Sequence, residues 1–328
     1  MMTLLILLIA SALIFDFLNG LNDSSNVVAT VISSRAMSPR TALTLAAIAH
    51  FTAPFLFGVA VATTVGKDVI EPSAISPYVV LGAVTAAIIW NVFTWWLGIP
   101  SSSSHALIGG LLGSSIIAKG VGIVQIGGLS KILIALFISP ILGLITAFIL
   151  MRLLLFLLRN ASPRVSSVFK RSQLITALAL SLSHGTNDAQ KTMGVITMGL
   201  VAGGFQQTFK VPLWVIAASA SAIALGTALG GWRLIRTLGG RIYKIRPIHG
   251  FTSQAASAIV IFTAALLGGP VSTTQVVGSA IMGAGAAERL SKVRWQVGRE
   301  MVITWLLTIP ATAGISALLY LGLERLTI

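Results

Sequence analysis

Eight polar residues repeat one spacing. Asn19, Asn22, Asp23 and Asn26 follow i, i+3, i+4, i+7, and so do His184, Asn187, Asp188 and Lys191, each 165 residues after its counterpart. That spacing gathers four side chains on one face of a helix. A glycine, Gly20 or Gly185, stands two residues before each Asn-Asp pair, inside a long apolar stretch. A carboxylate in the hydrocarbon region of a membrane costs about 2.5–3.5 kcal/mol on insertion scales, so two in matching places point to a binding site. Asp23 and Asp188 offer hard oxygen ligands, which suit a hard cation such as sodium when carbonyls of an unwound backbone join them. The plainer reading is that each Asp caps a half-helix at a break, a role compatible with cation binding.

A second pair of elements carries hydroxyls. Pro100-Ser101-Ser102-Ser103-Ser104-His105 matches Pro270-Val271-Ser272-Thr273-Thr274-Gln275 at an offset of 170, and each opens an apolar run. A helix N-terminus bearing several hydroxyls is a ready anion site, because free N–H groups and the helix dipole both point outward. On that ground Ser102, Ser103, Ser104, Ser272, Thr273 and Thr274 are expected to face an anion, although a single Ser-rich turn is more often just a cap. Asn22 and Asn187 carry both a carbonyl oxygen and an amide donor, and are expected to bridge cation and anion. Ser24 and Ser25 are placed to begin a new half-helix, with anion contact and plain capping as equal readings. Lys191 replaces Asn26 of the first set and either pairs with a carboxylate or contacts the anion. Asp16, two turns before Asp23 on the same face, either completes a cation site or forms a structural pair. His105 reads first as a packing residue, whereas His184 holds an anchor position; both would make the site sensitive to pH.

The elements that position these groups must lie in a membrane. The 328 residues are 55% hydrophobic and 9% charged, with a mean hydropathy of +0.94. Ordinary soluble domains do not approach that composition. The apolar stretches are near or above the ~20 residues that cross a bilayer as a helix, and no short alternating strands of a barrel are present. The expected fold is therefore all-α and polytopic. Residues 2–15 lack a basic lead-in and a clear cleavage site and are read as a retained first helix. Without cysteine, disulfides, thiolate metal sites and thiol redox chemistry are excluded. The net charge of +14 is spread over short loops rather than one face, which argues against nucleic acid as a partner.

Spans are expected at about 2–33, 41–65, 78–98, 100–118 and 129–158, then 172–200, 211–232, 250–267, 270–288 and 300–322. The first span of each half is expected to break at its Asn-Asp element. Four loops hold most of the positive charge: Arg35 and Arg40; Arg159, Arg164, Lys170 and Arg171; Arg233, Arg236, Arg241, Lys244 and Arg246; Arg289, Lys292, Arg294 and Arg299. The positive-inside rule puts these in the cytoplasm and both termini outside. The offset of 170 also relates Gly113 to Gly283 and Pro140 to Pro310. Yet the loop with Lys67, Asp68 and Glu71 is poor in positive charge where its counterpart is rich. Two halves of five spans with opposite loop charge form an inverted repeat, 1–158 and 172–328, joined by a cytoplasmic linker at 159–171. In such folds the substrate site lies near the midplane, at the repeat interface.

With its doubled Gly-x-Asn-Asp pattern and doubled Pro-x-Ser-Ser/Thr-Ser/Thr, in order along nearly the whole chain, the sequence resembles the inorganic phosphate transporter (PiT) family. The resemblance implies cation-coupled uptake of phosphate, with sulfate in a few members. One departure is that Gln254 and His50 stand where some relatives carry a carboxylate, so a coupling role for a carboxylate there does not transfer. The reading is a sodium/phosphate symporter in the cell (inner) membrane, with sodium held by Asp23, Asn22, Asp188, Asn187 and Asp16. No cofactor beyond the coupling ions is expected. Phosphate, sodium and the lipid bilayer are the partners, and a homo-oligomer is left open. The alternatives are a proton-coupled phosphate permease or a sulfate permease, an intramembrane phosphatase with Ser as nucleophile and His as base, and an anion channel, which carboxylates in the site disfavour.

Overall fold

The computed structural model describes residues 2–70, 75–162 and 164–325, so that Glu71 of the charge-poor loop lies outside the described residues. The chain runs twice through one succession of helices. In the first pass these are α1 (Met2–Ser33), α2 (Pro39–Phe57), α3 (Ala60–Lys67), α4 (Pro77–Leu97), α5 (Ser103–Lys119) and α6 (Ile126–Leu157). The second pass comprises α7 (Val165–Ala202), α8 (Leu213–Leu229), α9 (Trp232–Arg236), α10 (Pro247–Leu266), α11 (Thr273–Glu288) and α12 (Trp295–Arg325). Local chemistry sets many of the boundaries. Ser38 and Ser76 cap α2 and α4, each with a proline at the first helical position. There the missing N–H costs nothing.

The sequence expectation is corrected at the Asn-Asp elements, since α1 and α7 run unbroken through both. Ser24 and Ser25 return their hydroxyls to the carbonyls of Leu21 and Asn22, which keeps the polar stretch helical. The glycines serve close approach instead of a break. A Cβ on Gly20 would lie 2.1 Å from the carbonyl oxygen of Ile223 in α8, and one on Gly185 would lie 2.8 Å from Cα of His50 in α2. Each half thus presses its central helix against the second helix of the other half.

The outer helices interlock in the same reciprocal way. Helix α5 lies along α12 and α11 along α6. Small residues allow it, with Gly113 against the Ala313 carbonyl and Gly283 against that of Leu144. In α6 the buried residues Ile132, Leu136, Ser139, Gly143, Ala147 and Met151 form one stripe, and in α12 Gly298, Met301, Trp305, Thr308, Thr312, Ser316 and Tyr320 do the same. The remaining faces expose large apolar side chains such as Ile134, Ile149, Leu306 and Leu318. An apolar exterior of that extent suits lipid rather than water.

Among the described residues six helices (α1, α2, α4, α6, α10 and α12) are long and apolar enough to cross a membrane, and the pair Leu213–Leu229 and Trp232–Arg241, bent by 59°, is a seventh candidate. Two further expectations change. The stretch 41–65 is divided at Gly58, where φ is 80°, into α2 and α3. The stretches 100–118 and 270–288 become helices of 17 and 16 residues, about 25 Å long at 1.5 Å per residue, which is less than the ~30 Å hydrocarbon core. Both begin in the protein interior, where Ser102 and Ser272 are buried. Helix α7 is 38 residues long and too polar to pass as an apolar span, yet every residue from Ser183 to Leu200 is buried.

Candidate functional site

The first turns of α5 and α11 meet the Asn-Asp elements of α1 and α7 at the centre of the fold. Extended backbone precedes both short helices, so their N-termini are fixed by caps: Ser102 accepts from the N–H of His105, and Ser272 from that of Gln275. The next residues point inward. Thr274 donates to Oδ1 of Asp23 at 2.8 Å, and Thr273 donates to Oδ2 of Asp188 at 2.9 Å. Helix α11 therefore holds the carboxylates of both halves, with its dipole-positive end nearby.

The two carboxylates are surrounded differently. Oδ1 of Asp188 accepts from Lys191 Nζ, which also donates to the carbonyl of Val271 at 3.1 Å. Oδ2 of Asp188 is 3.0 Å from His184 Nε2, although the ring is not aligned for a hydrogen bond. At Asp23 the corresponding donor is neutral: Asn26 Nδ2 reaches Oδ1 at 2.9 Å and Thr274 Oγ1 at 3.0 Å. Oδ2 of Asp23 is buried without a hydrogen-bond partner among the described residues, and His184 Nε2 is 3.9 Å away. Ligand atoms of Asp23, His184 and Asp188 all fall within 4.8 Å of one another, the spacing of a cation site. His184 also stacks on His50, centroids 4.6 Å apart, and His50 Nδ1 pairs with Thr227 at 2.8 Å.

Asn22 and Asn187 hang from backbone carbonyls on other helices or connectors. Asn22 Nδ2 donates to Asn91 O at 3.5 Å and Asn187 Nδ2 to Gly269 O at 3.2 Å. That leaves the side-chain oxygen of each buried and unpartnered. Leaving a buried acceptor unmatched costs roughly 1–3 kcal/mol, so such atoms are candidate ligand contacts. A narrow cleft bounded by Asn22, Asp23, Asn91, Thr94, Ser101, Ser103 and Thr274 opens at this point.

Several expected residues do other work. Ser24 accepts from the N–H of Gly231 at 2.8 Å, tying α1 to the start of α9, and Ser25 bonds within its own helix. Ser104 donates to Val271 O, the same carbonyl that Lys191 uses. Ser102 Oγ pairs with His105 Nδ1 at 2.7 Å. Asp16 lies beside Thr192, with both oxygens buried and without an aligned hydrogen bond among the described residues. Gln254 is fully engaged between Thr30 and Thr176, a structural bridge between α1 and α7. The sequence reading missed Asn91 and Thr94, although a lone Asn in an apolar stretch obeys the same rule as a lone Asp. It also missed the carbonyls of Val271 and Gly269, for which no side chain gives a signal.

Outside the apolar spans an ionic clasp joins the start of α10 to the end of α11. Glu288 is held by Arg246 at 2.5 Å and His249 at 2.9 Å, and Tyr243 donates to it. Burial and the Glu288 carboxylate push the Tyr243 phenol up to about 12.

The sequence pattern of the Phosphate transporter family matches residues 19–164 and 158–316, which covers both Asn-Asp elements and both hydroxyl tracts. The chain belongs to that family. It is 45% identical over 98% of its length to the "Probable low-affinity inorganic phosphate transporter" of Rhizobium meliloti (strain 1021), covering 97% of that protein. A protein of the same description from Bacillus subtilis (strain 168) is 41% identical, with 99% of each chain covered. Among solved structures, one titled "The sodium-dependent phosphate transporter" superposes with a TM-score of 0.91 at 26% identity, covering 98% of this chain and 99% of that one. This phosphate transporter is thus a multi-pass membrane protein and not an enzyme, and the phosphatase reading falls.

Proposed function

We propose that this phosphate transporter is a sodium-coupled symporter, which carries inorganic phosphate into the cell through the central cluster between its two halves. The observation that carries the reading is the bare Oδ2 of Asp23, buried and without a partner among the described residues, as are the side-chain oxygens of Asn22 and Asn187. An ionised carboxylate out of water demands a cation or a proton. Asp23 and Asn22 form the cation side, Asp188 is the cluster's second carboxylate and is paired with Lys191, Asn187 lies one residue before it, and Asp16 offers a further place next to Thr192. The printed name of the solved neighbour supports sodium as the ion.

Phosphate would lie against Ser103, Thr273, Thr274 and the amides of Asn22 and Asn187, with Lys191 close by; Ser102, Ser104 and Ser272 shape the two helix openings. The hydroxyls of Thr273 and Thr274 are turned to carboxylates in the structure. Sodium at Asp23 weakens the carboxylate's hold on Thr274 and frees that donor for the anion, which makes cation binding precede or accompany phosphate. Loop charge supports both termini outside the inner membrane and the loops rich in Lys and Arg inside.

Radiolabelled phosphate uptake into proteoliposomes, with sodium and pH gradients imposed separately, tests this. Uptake driven by an inward sodium gradient at constant pH is expected. Uptake that follows the pH gradient alone establishes proton coupling instead, a reading favoured by the close packing of Asp23, His184 and Asp188.

A further inference from the structure

We propose that Lys191 is a built-in cation: at Asp188 its ammonium takes the place that a coupling sodium takes at Asp23, so each cycle carries one sodium fewer than two equivalent carboxylate elements would. The inference rests on the sodium-coupled reading above and refines its stoichiometry.

The two elements share a register, and the residue three positions after each Asp decides what the carboxylate meets. Asn26 is neutral and satisfies one oxygen of Asp23, leaving the other without a donor. Lys191 is 1% exposed, one of the largest fully buried side chains. Its Nζ is bound by a carboxylate oxygen of Asp188 and the carbonyl of Val271. A carboxylate and a backbone carbonyl are the ligand types that hard cations take. The carbonyl is available because Val271 lies in the extended segment ahead of the Ser272 cap, outside any helix. Ser104 donates to the same oxygen from the other half and fixes it in place.

Charge supports the same assignment. Asp188 and Lys191 cancel within one helical turn, so a sodium brought to Asp188 meets an ammonium of like sign that offsets much of what one carboxylate returns. Among the described residues Asp23 has no ammonium within 4 Å, and the basic side chain there is the imidazole of His184. Sodium must dissociate to complete a cycle, whereas the ammonium is tethered. An ammonium has three N–H donors. Two are spent on Asp188 and Val271, and the third remains for an anion in every cycle.

The test is the sodium-to-phosphate flux ratio of purified protein in proteoliposomes, read with labelled sodium and labelled phosphate together. Lys191→Asn gives the second element the neutral partner of the first; it is expected to carry one more sodium per phosphate than the unaltered protein, with a steeper sodium activation curve. Lys191→Arg keeps the charge and is expected to keep the unaltered ratio. An unchanged ratio in Lys191→Asn overturns the proposal. Should that variant bind sodium but not transport, calorimetric sodium titration gives the same reading: one added equivalent supports the inference and none overturns it. Asp188→Asn is an independent arm, because a carboxylate that binds no sodium can be lost without lowering the ratio; a ratio reduced by one overturns the proposal. If the unaltered protein moves phosphate without sodium, the sodium reading fails by itself. The lysine inference is then read from whether Lys191→Asn gains a sodium that the unaltered protein lacks.

Discussion

The Asn-Asp elements of α1 and α7 share one spacing, yet they hold their carboxylates in different electrical states. Asp188 has Lys191 on one oxygen and Thr273 on the other, with His184 alongside. Asp23 has only neutral donors, Asn26 and Thr274, and both reach the same oxygen. Repetition therefore fixes where a carboxylate is placed, and a single residue one turn later fixes whether it has a charge to share. A duplicated site need not be a symmetric one.

The comparison breaks most completely if the halves are not inverted copies. Gly122 and Ser291 lie in corresponding short turns, Val121–Ile123 and Leu290–Lys292, and both are exposed. Cysteines placed there one at a time are expected to react with membrane-impermeant reagents from opposite faces, Gly122→Cys from outside and Ser291→Cys from the cytoplasm. Labelling of both from one face would exclude the inverted arrangement and the topology built on it.

Charge removal sharpens the difference between the elements. Asp23→Asn is expected to lose all sodium-stimulated uptake, since the other carboxylate of the cluster, Asp188, is already paired with the Lys191 ammonium. Asp188→Asn is expected to lower uptake and expression while what remains still depends on sodium. Its defect is structural, because an unpaired buried Lys191 costs about 3–5 kcal/mol. Equal loss of sodium dependence in both, measured in proteoliposomes, would make the two elements equivalent.

A smaller effect separates the cation from the anion. Replacing sodium by choline at fixed pH is expected to weaken phosphate binding at least about tenfold, a coupling free energy of about 1.4 kcal/mol, and reciprocity requires phosphate to tighten sodium equally. Calorimetry in the two salts measures both directions; equal phosphate affinities would sink the ordered binding.

The smallest contrast concerns packing. Gly20→Ala drives a Cβ to 2.1 Å from a backbone oxygen, and Gly185→Ala to 2.8 Å from a backbone carbon. Overpacking of this kind costs about 1–3 kcal/mol. Thermal unfolding in detergent is expected to show a larger loss for Gly20→Ala, and a reversed order would place the tighter contact in the other half.

Much of this was written in the residue types. A carboxylate in an apolar stretch announces itself because hydrocarbon tolerates it only for a purpose, and duplication at offsets of 165 and 170 exposes the two halves without any coordinates. The sequence alone thus determined an all-helical membrane protein with two matched polar elements, and the family that uses them. It misjudged Gly20 and Gly185 as helix breakers because a glycine looks the same whether it bends its own backbone or admits another. Only the fold could tell, by bringing Ile223 and His50 against them. The fold likewise decided that Thr273 and Thr274 reach carboxylates of different halves, that Ser24 ties down α9, and that the open choice for Lys191 resolves to Asp188 and a carbonyl. Those outcomes depend on which helices cross at the centre, and local spacing carries no information about partners 80 to 250 residues away.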